Sequence, residues 1–247
     1  MGKIIAAILK AFLVIYFLSY LLLLPLFFIF KRKNKEPVVR VIFYYILYII
    51  LQEFLTFMVT FTPGLRSFIG ILYGSNSLVE FSFFCAFYYF LFPREHKIRK
   101  ITVGAWIGFI LFSLSYFQIY GNKENYKFGS FVAGIEALLL MLLCGYYLYF
   151  QITHTFNMFV YRTFNFWIIV TFFLFVSSTF FLYLMADSMA NSKDFQKYYM
   201  YINSGANILK NLLLAFAITR KFVQAPEKDY SRPELDLDDD LILNHKT

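Results

Sequence analysis

Residues 164–185 read FNFWIIVTFFLFVSSTFFLYLM, twenty-two positions without one charged side chain. A helix needs about 20 mostly apolar residues to cross a hydrocarbon core of about 30 Å. Inside that core every backbone N–H and C=O must find a partner within the chain, so a continuous apolar run of this length folds as a helix. A membrane β-barrel would instead show short alternating segments.

Working outward from this stretch, the same pattern recurs. Seven spans are expected, at about 8–30, 41–62, 67–92, 101–120, 129–151, 164–186 and 199–219. Charges and helix breakers fill the gaps: KRKNKEPVVR (31–40), Pro63-Gly64, PREHKIRK (93–100), GNKENYK (121–127) and DSMANSKDFQK (187–197). The third span is overlong, and Gly74-Ser75-Asn76-Ser77 is an expected break that leaves a short outer helix over 66–73. The apolar run from Ala11 to Phe30 is too long for a signal peptide and has no A-x-A-type cleavage site, so it is expected to stay as the first helix.

Composition agrees. The 247 residues are 60% apolar and 15% charged, with a mean hydropathy of +0.61. A soluble domain is about 45–50% apolar and about 25% charged, and a soluble fold of this composition would expose too much apolar surface. Cys85 and Cys144 both lie in apolar runs, where they define no disulfide framework. The fold class is therefore all-α: a polytopic seven-helix domain over 1–223 and an acidic tail over 224–247.

Loop charges set an expected orientation. Lys31, Arg32, Lys33, Lys35, Arg40, Arg94, Lys97, Arg99, Lys100, Arg162, Arg220 and Lys221 fall in one set of alternating loops. Only Lys3, Arg66, Lys123, Lys127, Lys193 and Lys197 fall in the other. By the positive-inside rule the N-terminus is outside and the C-terminus cytoplasmic. The net charge of +8 is then a topology signal facing anionic headgroups, and no direct nucleic-acid binding is expected.

The tail, APEKDYSRPELDLDDDLILNHKT (225–247), carries seven of the fifteen acidic residues. Such composition reads as a solvated end or as a docking segment. In the second reading Asp236, Asp238, Asp239 and Asp240, beside the apolar LIL, meet a basic partner or the chain's own basic loops. The glycine and closing glutamate of a calcium loop are missing.

Charged residues within a bilayer are costly and mark candidate sites. Four stand away from the span edges: Glu53, Glu80, Glu136 and Lys210. Asn203, Asn207 and Asn211, at i, i+4 and i+8, form a polar stripe on helix seven beside Lys210. Gln52 and Asn76 join from helices two and three. The expected picture is a polar cluster in the outer half of the bundle. A Glu80–Lys210 pair stands at its centre with Asn207 and Asn211, while Glu53, Glu136 and Asn203 line the outer mouth. Such a cluster either holds helices together or serves a ligand, a proton or an ion.

Enzyme chemistry finds no foothold. His96, His154 and His245 all lie in loops or the tail, and no G-x-S-x-G, P-loop or G-x-G-x-x-G motif occurs. No cofactor and no metal site are expected. Pro25 is the only proline well within a span, which disfavours a transporter built on broken helices.

Three segments, GSNSLVEFSFFCAFYYFLF (74–92), the 164–185 stretch and ANILKNLLLAFAI (206–218), together resemble a family of uncharacterised bacterial seven-helix membrane proteins. That family is similar to the membrane sensor modules of some histidine kinases. The resemblance implies a stand-alone sensor-like module in a bacterial inner membrane, whose output comes from a partner. The leading expectation is thus a non-enzymatic receptor or signalling subunit, with the lipid bilayer and a cytoplasmic or membrane protein as partners. The alternatives are an oligomeric ion channel or membrane-disrupting effector gated by a cytosolic partner, and a scaffold subunit of a larger complex.

Overall fold

The computed structural model describes residues 14–26, 28–29, 36–62, 69–92, 96–120, 130–154, 163–189 and 192–223. All the regular structure among them is helical. The helices are α1 (Val14–Leu26), α2 (Pro37–Phe61), α3 (Ile69–Leu91), α4 (Ile98–Tyr120), α5 (Ser130–His154), α6 (Phe164–Met189) and α7 (Lys193–Val223). One falls at each expected position. Four of them, α2, α4, α5 and α6, are long and apolar enough to cross a membrane. They also turn large apolar side chains outward: Leu111 and Ile119 of α4 are each 61% exposed. The chain is a helical membrane protein. Asp236, Asp238, Asp239 and Asp240 lie outside the described residues.

Local chemistry explains the boundaries of α2. Glu36 is extended (φ −60°, ψ 138°) and Pro37 opens the first turn, where its missing N–H costs nothing. At the other end Thr62 is extended (φ −100°, ψ 108°), as the residue before Pro63 must be to clear the pyrrolidine ring.

The expected break in α3 does not occur. The helix runs without interruption through Gly74-Ser75-Asn76-Ser77. Gly74 is there because α4 crosses close by: a Cβ on it would stand 2.0 Å from Cζ of Phe117. The small and polar residues mark a close approach and a cavity wall.

Ring and polar contacts fix the arrangement. Helix α1 lies against α2 through Phe17–Phe57, and Phe28 beyond its end meets Phe43. It lies against α7 through Ser19 and Asn211. Helix α2 packs on α3, α3 on α5, α5 on α6, and α6 on α7. Six helices therefore close a ring. Helix α4 stands outside it, held on α3 by Phe81–Phe109 and by Trp106 Nε1 donating to Ser82 Oγ at 2.9 Å. Sequence neighbours run antiparallel, so α1, α3, α5 and α7 begin at one end of the bundle and α2, α4 and α6 end there. At the opposite end Arg99 donates to the Tyr89 carbonyl at 2.7 Å and Arg220 stacks 5.0 Å from the Phe216 ring centre.

Candidate functional site: a polar cavity in one end of the bundle

The six ring helices enclose a cavity of about 460 Å³. Its wall runs from the N-terminal parts of α1, α3, α5 and α7 and the C-terminal parts of α2 and α6 to the middle of the bundle, on the side opposite Arg99 and Arg220. Helix α4 contributes nothing to it. Each sequence-derived candidate within the spans can be placed. Glu53, Gln52, Glu80, Asn76, Asn203, Asn207 and Lys210 all line the cavity. Glu136 and Asn211 do not.

Glu80 and Lys210 do not form the expected direct pair. Glu80 Oε1 accepts a 2.7 Å hydrogen bond from the Tyr45 hydroxyl, and Oε2 accepts from Asn76 Nδ2 at 3.4 Å. Lys210 is 3% exposed, and its Nζ sits 4.0 Å above the Phe175 ring and 5.8 Å from the Tyr45 ring centre. Among the described residues no carboxylate and no hydrogen-bond acceptor touches it directly, and Glu80, Glu53 and Glu136 act on it through space. The ring face supplies a cation–π attraction, and the side chain lines the cavity. The competition is simple: Tyr45, one turn from Ile49 on α2, reaches the carboxylate first.

Glu53 accepts a 2.7 Å hydrogen bond from Tyr16 of α1. Tyr20 donates toward Tyr16 and Asn207 Oδ1, both at 3.3 Å. Asn207 Nδ2 returns a bond to the Asn203 carbonyl at 2.9 Å. Asn76 Oδ1 accepts from Tyr48 at 2.9 Å, and Gln52 Nε2 donates to the Leu72 carbonyl at 3.2 Å. A layer of tyrosines thus holds the acids and amides of the wall.

Two expectations need correction. Glu136 is not at the mouth. It is buried in a side chamber of about 30 Å³ shared with Asn76, Ser77 and Glu80, and its Oε1 has no partner among the described residues. Asn211 does not line the cavity. It is 1% exposed, contacts the lining residue Tyr20, and donates to Ser19 Oγ at 2.9 Å, where it pins α1 to α7.

The opposite end of the cavity is closed. One turn beyond the lining residues, or two turns on α5, every ring helix presents a buried, largely apolar side chain: Leu23, Tyr45, Phe84, Leu140, Phe172 and Leu214. Phe84 and Phe172 meet edge to face at 4.5 Å, and Tyr45 lies 5.3 and 5.6 Å from them. Aromatic pairs at these distances add about 0.5–1.5 kcal/mol each beyond the area they bury. Below them Tyr88 donates to Cys144 Sγ at 2.9 Å.

Sequence reading missed the phenols Tyr16, Tyr20, Tyr45 and Tyr48, together with Ser19 and Phe175. The spacing of Tyr16, Ser19 and Tyr20 on one face of α1 was the available signal.

Fold and site together define a helical membrane protein with a polar cavity set into one end. No family model matches the chain, and neither a curated protein nor a solved structure does.

Proposed function

We propose that the protein is a non-enzymatic receptor or signalling subunit that crosses a bacterial inner membrane seven times, N-terminus outside and C-terminus cytoplasmic. The observation that carries this reading is the cavity itself. A space of about 460 Å³ is the size of a small-molecule site. In it an ammonium, two carboxylates and several amides converge above an aromatic floor. The more basic set of loops joins the helix ends opposite the cavity, so the positive-inside rule turns the cavity outward.

In this reading a ligand that engages Lys210 or Glu80 competes with the Phe175 face and the Tyr45 hydroxyl. Tyr45 belongs both to the Glu80 hydrogen bond and to the floor, so binding shifts the packing of α2 against α3 and α6. A ligand acts by binding one of two helix packings better than the other. The acidic tail carries that shift to a cytoplasmic partner. The resemblance to kinase sensor modules accords with such an arrangement.

Reconstitution in liposomes tests the reading against its channel rival. The expected result is no ion flux, together with a co-purifying protein that is lost on deletion of 224–247. Ion flux abolished by Glu80→Gln or Lys210→Met would overturn it.

A further inference from the structure

The cavity holds acidic and basic side chains that make no direct ion pair with each other. Tyr45 separates them: its hydroxyl holds Glu80 Oε1 at 2.7 Å, while Lys210 Nζ lies 5.8 Å from its ring centre. Lys210 is 3% exposed and has no carboxylate in direct contact among the described residues, although Glu80, Glu53 and Glu136 act on it through space. A buried ammonium without a contacting counter-ion is costly, and Lys210 lines the cavity.

The acids carry spare capacity. An ionised carboxylate has about four acceptor positions, and the described bonds use one on Glu53 and two on Glu80. Both line the same cavity as Lys210. On the α6 and α7 side the wall is aromatic, with Phe175, Tyr183, Phe195 and Tyr199.

Resting on the receptor reading, we propose that the ligand is a small zwitterion of amino-acid type with an apolar third substituent. Its carboxylate supplies the direct anionic contact that Lys210 lacks. Its ammonium sits between Glu53 and Glu80, and its apolar group lies against the α6–α7 aromatic wall. One such molecule bridges groups that stand too far apart to pair directly and too close together to ignore each other. A simple anion would satisfy Lys210 and leave the acids facing each other. A simple cation would leave the ammonium bare.

The test uses the full chain in nanodiscs and three probes: L-phenylalanine, its methyl ester, which lacks the anion, and N-acetyl-L-phenylalanine, which lacks the cation. Equilibrium binding is expected to favour the free amino acid over each derivative by about tenfold or more, the contribution of one charge-assisted hydrogen bond. Lys210→Met is expected to lower the free amino acid to the level of the ester, and Lys210→Arg to retain the preference. Because the probe comparison uses unmodified protein, a variant that fails to fold does not affect it. Ester binding as tightly as the amino acid, or the acetyl derivative doing so, overturns the zwitterion while leaving a receptor. Binding of none of the three also overturns it, and the liposome flux measurement then decides separately whether the receptor reading survives.

Discussion

The Tyr45 hydroxyl, 2.7 Å from Glu80 Oε1, takes the place that the Lys210 ammonium would fill in a simple buried ion pair. The consequence is a carboxylate tied to the floor of the bundle and a lysine left lining the cavity. Double-mutant cycles read this directly. Tyr45→Phe with Glu80→Gln is expected to show a coupling of about 0.6–1.7 kcal/mol, the range for interhelical polar contacts in membranes. Lys210→Met with Glu80→Gln is expected to show a smaller one. The reverse order, measured by unfolding in mixed detergent, would restore the direct ion pair.

Gly74 lets α3 and α4 touch. Because a Cβ would meet the Phe117 ring at 2.0 Å, Gly74→Ala is expected to cost about 1–3 kcal/mol despite the better helix propensity of alanine. Phe117→Ala in the same chain should recover most of that loss in thermal unfolding. A Gly74→Ala protein as stable as the parent would show that the two helices stand further apart.

Asn211 and Ser19 join α7 to α1 by a 2.9 Å hydrogen bond in a buried position. Removing either side is expected to loosen α1 and raise hydrogen exchange along Val14–Leu26, with little change in α4, which packs elsewhere. Asn211→Ala and Ser19→Ala should be non-additive. Simple additivity in unfolding free energy would mean that the contact contributes nothing.

Glu136 presents a different case. A buried oxygen without a partner costs about 1–3 kcal/mol, and the chamber of about 30 Å³ beside it has room for one water. Replacement by leucine is therefore expected to stabilise the bundle, whereas most core substitutions destabilise. A raised Tm in detergent is the prediction, and a loss above about 1 kcal/mol would show that the acid holds the fold together.

The helices were legible because length and the absence of charge decide them. Residues 164–185 have no other fold available in a bilayer. The polar positions were legible for the same reason, since Glu53, Glu80 and Lys210 stand out against an apolar background. Their partners were not. With 20 tyrosines and 34 phenylalanines in the chain, Tyr45 looks like any other aromatic residue until α2 and α3 are packed. The Gly74–Ser77 segment reads as a break because glycine and serine punctuate helices in water. In the packed bundle the same residues admit Phe117 on one side and line the cavity on the other. Pairing depends on helix rotation, and nearly uniform apolar faces encode that only weakly.

In the proposed orientation the polar cavity opens to the outside and is closed below by Tyr45, Phe84 and Phe172. Asn203 is half-buried on its wall, and the native thiols Cys85 and Cys144 are buried and free. In a Cys85→Ala/Cys144→Ala background, Asn203→Cys is the direct probe, read with a membrane-impermeant thiol reagent on oriented vesicles. The account predicts labelling when the reagent is outside and none when it is confined to the cytoplasmic side. Labelling from the cytoplasmic side would contradict it.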